Sequence, residues 1–345
     1  MTNPDADLAT FAAPVFTAGS PHRLWSCALD TCMDVALWES LSSHDFTTVG
    51  IAEALGGSGG STADAAVLLS LSGRFAAAVP LMEHLWLAGW LLTHAGIHLP
   101  KGPMTASFGD LSFTRTTEGW ELSGVLAGVP WARSCTEVVV LCPDGAVAVV
   151  PVSGCSLSYG SNLIGEPRDD VELRGVRLDA DHVGHTVLTR DGFLARGAVG
   201  RMIQIDAAAQ AALAHSVQYV SEREQFGRPL AQFQAVQQRL AIVARECTLL
   251  HAGVQLCLAG DHDSRRVLDI AAAKRNDARS VPEIIANVHQ VHGAIGTTSE
   301  YGLGELTLRM SSWVAEYGSD AYWSGVLTEA CAHNDIWDIV IGAVQ

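Results

Sequence analysis

The sequence holds 345 residues with a formal net charge of −16 at pH 7, from 37 acidic and 21 basic side chains, and 48% of it is hydrophobic. Such a chain can build a sizeable core over two or three domains and is too apolar to be disordered. Its field repels polyanions, which excludes general nucleic-acid or anionic-membrane binding.

Lys101 and Lys274 are the only lysines, so arginine, the better fork for phosphate oxygens, must meet any anionic ligand. The eight cysteines form no CxxC pair and read as small core residues in a reducing compartment. The N-terminus is acidic where a signal peptide would be basic, which predicts a cytoplasmic protein. The most apolar stretch, HLWLAGWLLTHAGIHL at 84–99, is interrupted by His94. It is too short to span a bilayer and reads as a buried helix.

In chain order, residues 1–102 are expected to form an N-terminal helical domain, with apolar residues at helical spacing in Leu68, Leu71, Phe75, Leu81 and Leu85. GGSGGS at 56–61 lacks the context of a phosphate loop and reads as a helix–helix connection. From Pro103 to residue 188 the texture changes to short β-prone runs between turns, which predicts a small antiparallel barrel or sandwich. Asp144-Gly145 is the strongest hairpin signal. Residues 189–345 are helical again. Phe233, Val236, Leu240, Val243, Cys247, Leu250 and Val254 step by three and four, the stripe of a long helix in a four-helix bundle. Further helices are expected across 265–292 and near 319–332.

Between the first two bundle helices, REQFGRP must turn sharply, with Gly227 permitting the turn and Pro229 disfavouring helix through Arg228. Taken alone, this is an ordinary helix end with a satisfied arginine. Its setting, EREQFGRPLAQFQAVQQRLA, resembles the bundle turn of the flavin-dependent acyl-CoA dehydrogenases. A second stretch, VHQVHGAIGTTSEYGLGELTLR at 288–309, is similar to that family's Gln-x-x-Gly-Gly-x-Gly segment, where small residues let backbone N–H groups approach phosphate oxygens. GRFAAAVPLMEH in the N-terminal region fits the same family. His289 and His292 share a helix face, but no HExxH pattern accompanies them, so no metal is expected.

The resemblance implies an N-terminal helical domain, a middle antiparallel β-barrel and a C-terminal four-helix bundle. It also implies FAD as cofactor and an acyl-CoA as substrate, with an electron-transfer flavoprotein as a candidate electron acceptor. The residues carried over to the adenine and pyrophosphate end of FAD are Arg223, Gln225, Phe226, Leu230 and Gln234, with Gln290, Gly293, Ala294 and Gly296. Trp131 matches an aromatic that packs on the flavin, or is a core residue of the barrel. Family chemistry needs a carboxylate base for the α-proton. Glu316 is the candidate here, although alignment on Gly318 puts Tyr317 at the base position. The family's Thr-Glu-Pro-x-x-Gly-Ser-Asp loop is replaced by MTASFGDLSFTR, and Trp-Ile-Thr by WARS, with Arg133 in the threonine position.

Short members of the family pair with a fuller homologous subunit as α2β2 heterotetramers acting on bulky, steroid-derived CoA thioesters. The losses above match such a chain, with the base on its partner. The alternatives are a self-sufficient homomer using Glu316, a non-catalytic structural subunit, and a flavin monooxygenase of the same fold.

Overall fold

A computed structural model describes residues 4–18, 33–259, 264–298, 301–333 and 337; Cys27 and Cys32 lie outside them. The chain divides into two compact units, Met1–Ser72 with Ala77–Arg196, and Gly73–Ala76 with Gly197–Gln345. The sequence boundary expected at 102/103 therefore falls inside the first unit.

The first unit opens with α1 (Pro4–Ala18), α2 (Val35–Ser43) and α3 (Thr62–Arg74). The apolar stretch after Pro80 is helical and buried, as expected, but begins as a π-helix, Met82–Ala88, before continuing as α4 (Gly89–Ala95). Two four-stranded sheets follow. Their strands are β1 (Met104–Phe108), β2 (Ser112–Arg115), β3 (Trp120–Pro130), β4 (Glu137–Leu141), β5 (Ala146–Pro151), β6 (Ser156–Ser158), β7 (Arg168–Leu178) and β8 (Val183–His185). One sheet runs β1-β4-β5-β8, the other β2-β3-β7-β6.

The Asp144-Gly145 hairpin is present, with Leu141 paired to Val147. One pairing departs from the expected antiparallel barrel: β1 and β4 run parallel, Met104 opposite Glu137. The intervening chain crosses to the other sheet and back, so β4 returns in the direction of β1. Leu122, Leu126, Val138, Val140, Val150 and Val171 belong to one buried core. β4 is buried along Val138–Leu141 without alternation, as for a strand covered on both faces, and α4 packs against it.

The second unit contains most of α5 (Arg190–Glu222), then α6 (Gln234–Ala259), α7 (Ser264–His292), α8 (Leu303–Trp313) and α9 (Asp320–His333). Helix α8 adds a fifth member to the four expected. Gly302 starts it in a left-handed conformation, and Leu303, Leu306, Met310 and Trp313 bury one face. They join Ala208 and Ala212 of α5, Val243 and Leu250 of α6, and Ile284 and Val288 of α7 in a single core. Burying each large apolar side chain stabilises by roughly 1.5–3 kcal/mol. Among the described residues α6 alone is long and apolar enough to cross a membrane. Its stripe of Val243, Cys247, Leu250, Val254 and Cys257 is buried.

Candidate functional site

The turn after α5 is a two-residue hairpin. Strand β9 (Glu224–Gln225) pairs with β10 (Arg228–Pro229), Gln225 opposite Arg228. Phe226 and Gly227, at φ 56° and 78°, make the loop with both central residues left-handed, the geometry that matches strand twist. Glycine adopts it freely; phenylalanine does so at a cost of about 1–3 kcal/mol. Phe226 is 91% exposed, its ring edge-on to Phe233 with centroids 6.2 Å apart. Arg228 stacks over Phe233 at 4.1 Å. The Arg223 amide donates to Tyr219 O at 2.8 Å, and the Leu230 amide to Arg223 O at 2.9 Å.

Beside this hairpin lies a cleft of about 390 Å³. The two stretches singled out in the sequence meet there: Arg223, Gln225 and Leu230 come from the turn, Gln290 and Gly293 from the end of α7. Gly293, at φ 63°, has open space where a Cβ would stand. Four of the nine candidates for the adenine and pyrophosphate end are not in the lining. Phe226 is at the hairpin tip, Gln234 begins α6 on an exposed position, Ala294 is exposed, and Gly296 is buried. A Cβ on Gly296 would lie 2.8 Å from that of His292, so glycine serves packing at that position.

The cleft is also lined by Tyr219 and Arg239, which sequence reasoning missed, and by His292, which it weighed only as a metal ligand. Arg239 follows Ala235 and Val236 at helical spacing, a signal that could have placed it on their face. Tyr219 stacks on His292 at 4.7 Å. Burial lowers the pKa of His292, and its Nδ1 donates to Val288 O at 2.7 Å. A neutral imidazole adds no charge, so the cationic character comes from Arg223 and Arg239. No carboxylate occurs among the described residues of the lining. Within a chain of −16, that is a local inversion of sign fit for an anion.

The base candidate is held elsewhere in the second unit. Glu316 Oε2 accepts from Arg201 Nε at 2.7 Å, with Arg201 buried. Lys274 Nζ donates to Val314 O at 2.8 Å and Glu316 O at 3.1 Å, and burial lowers its pKa to about 8. Tyr317 is left-handed at φ 54°. Its ring fills the space over Gly197, where a Cβ would come within 2.2 Å of it. To act as a base, Glu316 would have to give up an ion pair with a buried guanidinium.

Trp131 belongs to the first unit, 2% exposed and left-handed at φ 57°. Its neighbour Arg133 donates from Nε to Asp169 at 3.0 Å and 3.1 Å, and from Nη2 to Gly160 O at 2.6 Å. It also lies 4.0 Å over the Tyr159 ring. The arginine in the family's threonine position is thus an internal strut.

A helical region, a two-sheet β region and a helical bundle make up the architecture of the acyl-CoA dehydrogenase fold. Residues 187–324 match the family described as Acyl-CoA dehydrogenase, C-terminal domain. Acyl-CoA dehydrogenase FadE28 of Mycobacterium tuberculosis is 27% identical over 295 residues, 76% of this chain and 83% of that protein. Two solved structures share the fold. The ChsE4-ChsE5 complex from M. tuberculosis has a TM-score of 0.82 at 20% identity, covering 97% of this chain and 98% of the matched one. The Tcur3481-Tcur3483 steroid ACAD, as a G363A variant, has a TM-score of 0.81 at 24% identity, covering 95% and 98%. Residues 187–324 thus carry the C-terminal domain of the acyl-CoA dehydrogenase family, and over most of its length the chain is similar to acyl-CoA dehydrogenases, oxidoreductases acting on CH–CH bonds.

Proposed function

We propose that this chain is one subunit of a heteromeric, FAD-dependent acyl-CoA dehydrogenase, holding the adenosine diphosphate end of the cofactor while a homologous partner supplies the base. The observation that carries this reading is the cleft itself. Segments more than 60 residues apart in sequence converge on it with Arg223, Gln290 and Gly293, and its lining has no carboxylate among the described residues. The cleft's volume of about 390 Å³ suits part of a dinucleotide, not the whole. Bound FAD would supply the hydride acceptor for α,β-dehydrogenation. The chain's own part is to bind and orient: Arg223 offers a guanidinium fork, and Gly293 an approach without a Cβ.

Four features favour a partner. Glu316 is committed to Arg201, and Arg133 to Asp169. Phe226 occupies a strained backbone conformation while almost wholly exposed, as expected of an arm that acts on a neighbouring chain. Leu249 and Leu256, seven apart on α6 and therefore on one face, are also exposed. A bulky, steroid-derived acyl group is the favoured substrate class, because relatives of this fold include a complex named as a steroid ACAD.

The test is expression of the chain alone and together with a homologous subunit encoded beside it. Poor flavin content alone, with flavin absorbance and steroid-acyl-CoA dehydrogenation appearing on co-expression, is the expected result. A lone chain that purifies fully flavinated and active would overturn the reading.

A further inference from the structure

We propose that Arg239, held by Asn287, is the second phosphate-binding residue of the cleft, gripping with Arg223 the diphosphate of an adenosine diphosphate moiety. This rests on the reading above that the cleft takes the nucleotide end of a cofactor.

Arg239 lines the cleft from α6, Arg223 from the end of α5. What distinguishes Arg239 is the partner that holds it. Its Nη1 donates to Asn287 Oδ1 at 3.1 Å. Asn287 is buried, and its Nδ2 donates to Glu283 O at 2.8 Å and Glu283 Oε1 at 3.2 Å. Those two bonds fix the amide so that its oxygen must face the guanidinium.

A neutral acceptor orients an arginine without cancelling its charge. Elsewhere in the same unit Arg201, Arg245, Arg275 and Arg309 all pair with carboxylates, Glu316, Glu246, Asp320 and Glu305 respectively. Arg239 has an amide instead, and the Arg223 guanidinium makes no ion pair among the described residues. Two uncancelled guanidinium groups from separate elements of one cleft match the two anionic phosphates of a diphosphate. That moiety occurs in a flavin dinucleotide and, with an additional 3′-phosphate, in coenzyme A.

The full chain in its native assembly, stripped of nucleotide, is titrated calorimetrically with ADP, FAD and adenosine 3′,5′-bisphosphate at fixed ionic strength. Arg239→Gln is expected to weaken ADP and FAD by about 10- to 100-fold, the range for a charge-assisted hydrogen bond. Asn287→Asp keeps the arginine but gives it a carboxylate, and should weaken both ligands comparably. A purely structural Arg239–Asn287 contact predicts no such loss. Thermal melts establish that each variant is folded, and Arg239→Lys, which keeps the charge without the fork, should fall between wild type and Arg239→Gln. Unchanged ADP affinity in both Arg239→Gln and Asn287→Asp overturns the role of Arg239 while leaving the cleft reading intact. Wild type that binds neither ADP nor FAD overturns both. Strong preference for the bisphosphate overturns the flavin assignment and supports Arg239 as an anion contact for coenzyme A.

Discussion

Whether an arginine or a carboxylate in this chain is free to act depends on what it already holds. Arg223 holds nothing by its side chain among the described residues, so Arg223→Ala should lower the flavin content of the assembled enzyme by about tenfold or more. Its subunit stoichiometry by native mass spectrometry should not change. Glu316 is the opposite case, its carboxylate bound to Arg201. Glu316→Gln should therefore lower the melting temperature and leave turnover of the assembly nearly intact, whereas loss of a working base costs about 100-fold or more. Steady-state rates on the co-purified complex separate the two. Phe226 offers a third contrast. Asparagine tolerates the left-handed region better than phenylalanine, so Phe226→Asn should stabilise the isolated chain by about 1 kcal/mol. If the ring serves a neighbouring chain, the same substitution loosens flavin retention in the assembly, read from absorbance after gel filtration.

At the scale of elements, the π-helix at Met82–Ala88 sets His84 at the start of β1, where its Nδ1 accepts the Met104 amide at 3.0 Å. A ring that accepts at Nδ1 must be neutral, with its proton on Nε2. Burial drives its pKa from 6.5 to about 4, opposed by a backbone hydrogen bond at Thr47. The folded value is the lower one, so the unfolded chain takes up the proton first. Stability is then fully present above pH 6.5 and is lost as pH falls towards about 4. The loss amounts to about 3 kcal/mol across that window. Chemical denaturation between pH 7 and 4 measures it. His84→Gln should be less stable at pH 7 and should lack that part of the slope; an unaltered slope would mean that other groups cause it.

Across the whole molecule, local signals were legible in the sequence and tertiary ones were not. The α6 stripe and the β4–β5 hairpin could be read because their residues are neighbours in sequence. Helix α8 was hidden because its residues lie in the 288–309 stretch, whose signal is the glycine pattern at Gly293 and Gly296 and not the Leu303–Leu306–Met310–Trp313 face. Nothing in Met104–Phe108 marks a parallel partner more than 30 residues on. The hairpin corner was legible through Phe226-Gly227, yet Arg239 was not, because amide and carboxylate partners are told apart only in three dimensions. The same division of scales governs how an anion arrives. A net charge of −16 repels it at long range, while Arg223 and Arg239 attract it at contact. The Debye length shrinks from about 30 Å at 0.01 M salt to about 8 Å at 0.15 M, which removes the distant repulsion before it weakens the contact pairs. The association rate of ADP should therefore rise over that range, against the usual trend for a cationic site. The dissociation rate should rise as well, since contact charges are partly screened. Stopped-flow mixing at a series of salt concentrations reads both. An association rate that falls with salt would mean that the two arginines dominate the field along the whole approach.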